Sequence, residues 1–276
     1  MMKTNWNAFY RKCFAALLAA ALIASTGCSV NSPSEETIPG PTAVIKGKEF
    51  CVRDKSGEYE PVFLNGVNMG VTKPGSFPGE FAIPKEDYLR WFRQISEMNV
   101  QVIRVYVSQM PAFYEALKDF NAKADHPLYL IQGVYMNEEM ISEYNNAFGG
   151  SGALQDSFCA DIRNAVDIIH GSVEIERLPG NAGGEYTADV SDWVIGWILG
   201  VEWSADFVIG TNSAHADKTS FEGGYVRTEN ASPFEVFLAG AAETAISYEM
   251  EHYGKQRPVA LSNWCTTCLL YTSRCV

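Results

Sequence analysis

A single carboxylate closes an apolar segment in the last third of the chain. The segment runs from Val194 to Val201, holds only apolar residues and glycine, and is followed by Glu202 and Trp203. A strand that is apolar on both faces is typical of a parallel sheet covered by helices, and such folds keep their chemistry at the carboxyl ends of their strands. The segment therefore predicts a buried strand that presents Glu202 as a candidate catalytic acid. The alternative is a glutamate that only ends a strand and bonds a backbone amide or an arginine.

Side chains suited to sugars occur near the ends of other apolar segments. Aromatic rings stack on the apolar faces of sugar rings, and amides bond sugar hydroxyls. Each aromatic ring could equally belong to the core, and each asparagine could stabilise a turn. Arg104 lies within an apolar segment, where an unpaired charge is costly, so we expect it to have a carboxylate partner. The candidates for substrate binding are Asn65, Asn68, Tyr106, Tyr135, Trp203 and Trp264.

The elements that would position these residues alternate between strand and helix. Apolar residues recur at helical spacing between the apolar segments, and Ser232–Glu235 forms a capping box with proline at the first helical position. An N-terminal β-hairpin, from Ala43 to a polar turn at residues 53–58, precedes them. Residues 137–152 predict a loop with one helical turn at most, and residues 204–231 form a long polar insert. The predicted strands are Pro61–Gly70, Val100–Val107, Leu128–Met136, Val194–Trp203 and Arg257–Trp264, and the predicted helices are Lys85–Asn99, Pro111–Lys123, Leu154–His170 and Ser232–Tyr253.

This order of elements predicts an α/β fold with a parallel sheet and right-handed crossovers. Such a sheet is either open and doubly wound or closed as a (β/α)8 barrel of the TIM type. A dinucleotide-binding sheet needs a glycine-rich phosphate loop between its first strand and helix, whereas Asn65–Gly70 opens a long proline-containing loop. The barrel is therefore preferred, and residues 43–264 would supply about strands 1 to 5 of it.

Three segments resemble one family of enzymes. They are Phe63-Leu64-Asn65-Gly66-Val67-Asn68-Met69-Gly70, Val102-Ile103-Arg104-Val105 and Gly196-Trp197-Ile198-Leu199-Gly200-Val201-Glu202-Trp203. Together they resemble the first, second and fourth strands of the clan of retaining glycoside hydrolases that includes families 2 and 5. That clan contains cellulases, mannanases, galactosidases and glucuronidases on a (β/α)8 barrel, and the resemblance spans roughly residues 44–264.

The resemblance implies roles for two residues. Glu202 matches the general acid/base at the end of strand four, and Arg104 matches an arginine that helps to hold the nucleophile, a glutamate at the end of strand seven. Retention requires the two carboxyl groups to lie about 5–5.5 Å apart. Burial beside Trp197 or Trp203 would raise the pKa of Glu202 and keep it protonated. Val201 stands where the clan usually has an asparagine that bonds the sugar 2-hydroxyl, which favours the alternative of a non-catalytic carbohydrate-binding protein on a degenerate barrel.

The end of the sequence indicates an incomplete gene. Five strands have appeared when Trp264 is reached, and a barrel of eight needs three more, including the strand of the nucleophile. Residues 265–276 predict neither strand nor helix and look like adaptor read-through. The expected function is that of a fragment of an exported retaining β-glycoside hydrolase, with the fragment itself inactive.

The first 28 residues read as an export signal. Lys3, Arg11 and Lys12 precede the apolar run of residues 14–24, and Ser25–Cys28 resembles a lipobox whose cysteine carries lipid. A plain cleavable signal peptide with an incidental Cys28 is the alternative. Residues 29–42 would then be a flexible tether, and the expected location is a bacterial membrane surface facing away from the cytoplasm.

Composition and the remaining motifs exclude other classes. The chain of 276 residues has a formal net charge of −12, which argues against nucleic acid as a partner, and 47% of its residues are hydrophobic, as in an ordinary globular protein. The four histidines show no metal spacing, and Cys265 and Cys268 form a lone C-x-x-C pair. A Gly-x-Ser-x-Gly elbow is lacking. We therefore predict no metal and no cofactor, and expect Cys51 and Cys159 to be buried thiols.

Overall fold

The computed structural model describes residues 40–264. The expected signal segment with Cys28, the expected tether up to residue 39 and the tail 265–276 lie outside the described residues. The strands are β1 (Ala43–Lys46), β2 (Glu49–Arg53), β3 (Tyr59–Pro61), β4 (Gly66–Met69), β5 (Val102–Val105), β6 (Tyr129–Val134), β7 (Val173–Ile175), β8 (Gly184–Tyr186), β9 (Val194–Leu199), β10 (Ser220–Glu222), β11 (Arg227–Glu229) and β12 (Val259–Leu261). The helices are α1 (Lys85–Glu97), α2 (Pro111–Asn121), α3 (Glu138–Tyr144), α4 (Ala153–Ile169), α5 (Ala205–Ala214) and α6 (Pro233–Tyr253).

A five-stranded sheet forms the centre of the fold. Its strand order is β12-β9-β6-β5-β4, and every neighbouring pair is parallel. This confirms the five predicted strands and their parallel arrangement. The sheet ends at β4 and β12 and does not close on itself within the described residues, so it is consistent with part of an α/β barrel and the closed (β/α)8 barrel is not seen.

The long helices begin and end where the sequence signals are strongest. In α6, the Ser232 side chain accepts from the amide of Glu235 while the Glu235 side chain accepts from the amide of Ser232, which completes the predicted capping box. The same helix ends at Gly254, whose φ of 63° lies in the left-handed region that favours glycine. Pro111 occupies the first turn of α2, as predicted. No helix among residues 40–264 is long and apolar enough to cross a membrane.

The parallel register assigns successive residues to two faces of the sheet. Val105, Gln132 and Trp197 lie side by side on the face that packs against the helices, which we call the helix face. One residue earlier in register, Asn68 and Arg104 lie side by side on the opposite face, which we call the open face. The helix face carries the main hydrophobic core, including Ile103, Val105, Leu130, Val134, Trp197, Leu199 and the apolar sides of α1, α2, α4 and α6.

The amino-terminal half of the open face is covered by the N-terminal sheet. Ala43 of β1 and Val52 of β2 form a second, smaller core with Val102 and Ile195. The sequence predicted a hairpin here, and the structure has three antiparallel strands, β1-β2-β3. The Asp54 side chain accepts from two backbone amides of the turn before β3 and so fixes the return of the chain. Only the carboxyl-terminal half of the open face remains uncovered by this sheet.

The sequence missed the short elements. Residues 137–152 contain the two-turn helix α3, which is capped by Asn137, and a 3-10 turn at Gly150–Gly152. The hairpins β7–β8 and β10–β11 are built from three-residue strands that are too short to show alternation. Helix α5 lies in the predicted polar insert, and it buries only Phe207 and Thr211.

An ion-pair network is buried against the helix face. The Glu249 carboxylate in α6 accepts hydrogen bonds from Trp197 Nε1 at 3.2 Å and from Arg257 Nε at 3.0 Å, and it lies 2.9 Å from His170 Nε2. Arg257 also donates to the carbonyl of Ser191 at 2.9 Å. Burial opposes ionisation of Glu249, yet the hydrogen bond with His170 and the charge of Arg257 hold its pKa below the usual value. The network joins two helices to the start of β9.

Candidate functional site

Four of the predicted site residues lie at the carboxyl end of the open face, three of them in contact and the fourth, Glu202, near enough for its charge to act on Tyr135. The Arg104 guanidinium lies over the Tyr106 ring, 4.4 Å from its centroid. The rings of Tyr106 and Tyr135 are 6.0 Å apart and stand at 72°. Burial raises the pKa of the Tyr135 phenol, the charge of Arg104 lowers it, and the charge of Glu202 raises it, so both charged groups act on this tyrosine. We call Arg104, Tyr106, Tyr135 and Glu202 the edge cluster.

The strand geometry explains why the edge cluster forms. Side chains two residues apart on a strand point to the same face, so Tyr106 follows Arg104 at the end of β5. Tyr135 comes directly after β6, the neighbouring strand. Gly133 of β6 precedes Tyr135 by two residues, and an added Cβ there would come within 2.5 Å of the carbonyl oxygens of Val105 and Tyr106. This glycine lets the two strand ends approach closely enough for the tyrosine rings to meet.

Glu202 follows a sharp turn after β9. Gly200 has a φ of 101°, and a Cβ added there would lie 2.3 Å from the ring of Trp203. The turn buries the side chains of Val201 and Trp203 and leaves Glu202 exposed between them. The expectation that a tryptophan would bury Glu202 is wrong, because both Trp197 and Trp203 are packed into the core.

Other predicted site residues lie outside the edge cluster. Trp203 is buried, stacks on Phe207 at 5.8 Å and donates from Nε1 to the carbonyl of Ser262 at 2.9 Å, so it is a core residue. Asn65 precedes β4 at the amino end of the sheet, where its backbone N–H donates to the side-chain oxygen of Gln101. Asn68 is exposed and lies beside Arg104 in register. Trp264, which is 41% exposed, ends the described residues beyond β12.

Arg104 forms no ion pair with any of residues 40–264, contrary to the expectation of a carboxylate partner. Its Nε is buried and has no hydrogen-bond partner in that part of the chain. The guanidinium stacks on the Tyr106 ring and forms no hydrogen bond with residues 40–264, so it can bind a group that enters the site.

No protein-family model and no curated protein sequence matches this chain. A solved crystal structure of a protein named BpGH50 is similar, with a TM-score of 0.36 and 12% sequence identity. The match covers 78% of this chain, which spans about half, 50%, of that protein. At this level the similarity carries no argument about function, and the chemistry rests on the edge cluster.

The edge cluster combines three kinds of contact. Glu202 is a carboxyl group that can hold or release a proton, Arg104 donates hydrogen bonds, and the rings of Tyr106 and Tyr135 offer apolar faces with hydroxyl groups at their ends. Glu138, at the start of α3, adds a second negative charge that acts on Tyr135. Among residues 40–264 no group of three or more histidine, cysteine, aspartate and glutamate side chains could hold a metal ion. A ligand with both hydroxyls and apolar ring faces fits these contacts.

Proposed function

We propose that this chain carries the sugar-binding and proton-donating part of a retaining β-glycoside hydrolase site. The observation that carries the proposal is the edge cluster, in which two tyrosines and a guanidinium that forms no ion pair with residues 40–264 contact one another on the uncovered half of the sheet, with the Glu202 carboxylate near enough for its charge to act on Tyr135. The resemblance of Glu202 and Arg104 to the acid/base and the strand-two arginine of the glycoside hydrolase clan supports it.

In this proposal, Glu202 protonates the glycosidic oxygen as the bond to the anomeric carbon breaks, and then takes a proton from the water that releases the product. Tyr106 and Tyr135 stack on sugar rings, and Arg104 bonds to a sugar oxygen or to the carboxylate that attacks the anomeric carbon. We assign that nucleophile to none of residues 40–264. Its carboxylate must lie about 5–5.5 Å from Glu202.

A second candidate function is carbohydrate binding without catalysis. It is favoured by Val201, which stands where the clan has a sugar-binding asparagine. The side chain of Val201 is 4% exposed and belongs to the main core. An asparagine at this position would therefore point away from the open face, and the contact with the sugar 2-hydroxyl is lost in this chain.

Binding is tested first, with the 276-residue chain and isothermal titration of cellohexaose, mannohexaose and galactohexaose. We expect one of these to bind, and Tyr135→Ala to weaken its affinity about tenfold, the loss of one ring contact. Tyr225→Ala is the matched control, because Tyr225 is an exposed tyrosine in the turn of the β10–β11 hairpin. Equal affinities of the two variants, or no binding by the unaltered chain, would refute a sugar site at the edge cluster.

Catalysis is tested by comparing Glu202→Gln with the unaltered protein. We expect hydrolysis of alkyl glycosides to fall at least about 100-fold, because an alcohol leaves only with a proton, while dinitrophenyl glycosides react with little change in the bond-breaking step. Glu97→Gln, at an exposed glutamate that ends α1, is the control. Unchanged turnover in Glu202→Gln would leave the binding function as the better candidate.

We further propose that the protein is exported and held at a bacterial membrane by lipid on Cys28. The support is the sequence of residues 1–28. Metabolic labelling with a radioactive fatty acid should mark the unaltered protein and not Cys28→Ala. Labelling of both would contradict the anchor.

A further inference from the structure

A cleft that Tyr135 helps to line opens beside the edge cluster. It has a volume of about 450 Å³, within the range of about 300–1,000 Å³ that small-ligand sites occupy. One wall is α4 and the other is the turn of the β7–β8 hairpin, while the segments that follow β5 and β6 form the floor. We call this space the hairpin cleft.

The α4 wall presents a row of polar side chains. Ser157, Asp161 and Asn164 are spaced four and three residues apart, so they lie on one side of the helix, and all three line the cleft. None of these side chains forms a hydrogen bond or ion pair with another of the described residues. Their donors and acceptors are therefore available to a ligand with several hydroxyl groups.

The hairpin wall is held in place and adds further contacts. Arg177 in the hairpin donates to the carbonyl of Glu80 at 3.1 Å, and Tyr186 of β8 donates to the carbonyl of Gln109 at 2.8 Å. The amide of Asn181 and the apolar side chain of Leu178 face the cleft from the turn. This wall is thus fixed at two points, and it offers a polar and an apolar contact opposite α4.

The charges of the hairpin cleft restrict its ligand. Asp161 and Glu176 are its charged lining residues, and no lysine or arginine among residues 40–264 lines it. An anionic ligand would meet two carboxylates without a compensating cation. The side chain of Asp161 keeps contact with water, yet the cleft walls desolvate it and raise its pKa to about 6.

Tyr135 joins the hairpin cleft to the edge cluster. Its ring contacts that of Tyr106 on the open face, and the same residue lines the cleft. We propose that the hairpin cleft binds further units of an uncharged saccharide chain whose other end lies at the edge cluster. This proposal rests on the proposed function, since it assigns to the same site a long, neutral substrate.

The dependence of affinity on chain length tests the proposal. The 276-residue chain is titrated with the disaccharide, tetrasaccharide and hexasaccharide of the series that it binds. We expect Asn164→Ala to weaken the hexasaccharide about fivefold, the loss of one hydrogen bond, and to leave the disaccharide unchanged. If Asn164→Ala fails to fold, Asn181→Ala on the opposite wall takes its place, and we expect the same loss of affinity for the hexasaccharide. Gln94→Ala, at an exposed amide of α1, is the control.

The outcomes separate the two proposals. If Asn164→Ala and Asn181→Ala bind every length as the unaltered chain does while Tyr135→Ala is weakened, the hairpin cleft is not a saccharide site and the edge cluster still is. If the cleft variants lose affinity and Tyr135→Ala does not, the proposed function is overturned. Hexagalacturonate should gain nothing over digalacturonate, and a gain in affinity with its length would overturn the restriction to uncharged chains.

Discussion

The two faces of the parallel sheet use the same strands for different purposes. On the helix face, the neighbours Val105, Gln132 and Trp197 are all buried, and the charged Glu249 behind them has every oxygen paired. On the open face, Asn68 is exposed and the Nε of Arg104 has no hydrogen-bond partner among residues 40–264. The contrast shows that alternation along each strand lets one face supply the buried core while the other keeps polar groups that have no partner among residues 40–264.

Two arginines make the comparison direct. Arg257 is 5% exposed and bonds to both oxygens of Glu249 and to backbone carbonyls. Arg104 stacks on one tyrosine ring and forms no ion pair within the described part of the chain. The same substitution at both positions tests whether each guanidinium stabilises the fold or binds a ligand.

Arg257→Met is expected to have the largest effect. It leaves the Glu249 carboxylate buried without its cation, so the free energy of unfolding should fall by about 3–5 kcal/mol. Chemical denaturation at pH 7 measures this.

Because the pKa of Glu249 is lowered in the folded chain, its ionisation contributes stability above the usual pKa of 4.5, and that contribution is lost as the pH falls through the folded value. A loss below about 1 kcal/mol would mean that the network is not the main support of the helix face.

Arg104→Met should change stability by less than about 1 kcal/mol, since it removes a buried nitrogen that has no partner. Its effect should appear as a weaker affinity for the hexasaccharide, because the hexasaccharide loses its hydrogen bonds to the guanidinium. Denaturation and titration of the same sample measure both quantities. A loss of stability as large as that of Arg257→Met would abolish the distinction between the two faces.

Asp161→Asn should have the smallest effect, and one that depends on pH. The pKa of Asp161 is raised from 3.8 to about 6, so its protonation favours the folded state below about pH 4 and this stability is lost as the pH rises through 6. The variant cannot ionise and should be more stable than the unaltered chain at pH 8, by about 1 kcal/mol or less because water screens an accessible carboxylate. Thermal unfolding at pH 4 and pH 8 measures the difference, with Asp125→Asn as a control at an exposed loop position. Equal shifts at both pH values would contradict the raised pKa.

Much of the fold follows from the sequence because its signals are local. The capping box at Ser232, the glycine after Tyr253 and the apolar segments around Ile103 and Trp197 each specify one element without reference to the rest of the chain. The parallel sheet follows from their alternation. The three-residue strands of the hairpins carry no such pattern, and their pairing is decided by tertiary contacts such as those of Arg177 and Tyr186.

The candidate site was predictable only in part. The period of two along β5 places Arg104 and Tyr106 on one face, and the order of the strands brings Tyr135 next to them. The sequence did not show that Trp203 is buried and its neighbour Glu202 exposed, because the turn at Gly200 decides which of the two side chains is buried. The hairpin cleft was missed, since its walls come from α4 and from a hairpin that the sequence does not reveal.

Each strand of the parallel sheet pairs with the next strand of that sheet along the chain, from β4 to β12. Folding can therefore proceed by adding one strand at a time, with the one or two helices that precede it, to an existing edge of the sheet. The N-terminal sheet is the exception, because Val52 shares one small core with Val102 and Ile195, and Ile195 is separated from it by more than half of the described chain. During synthesis the first strands to leave the ribosome would accordingly be among the last to find their final contacts.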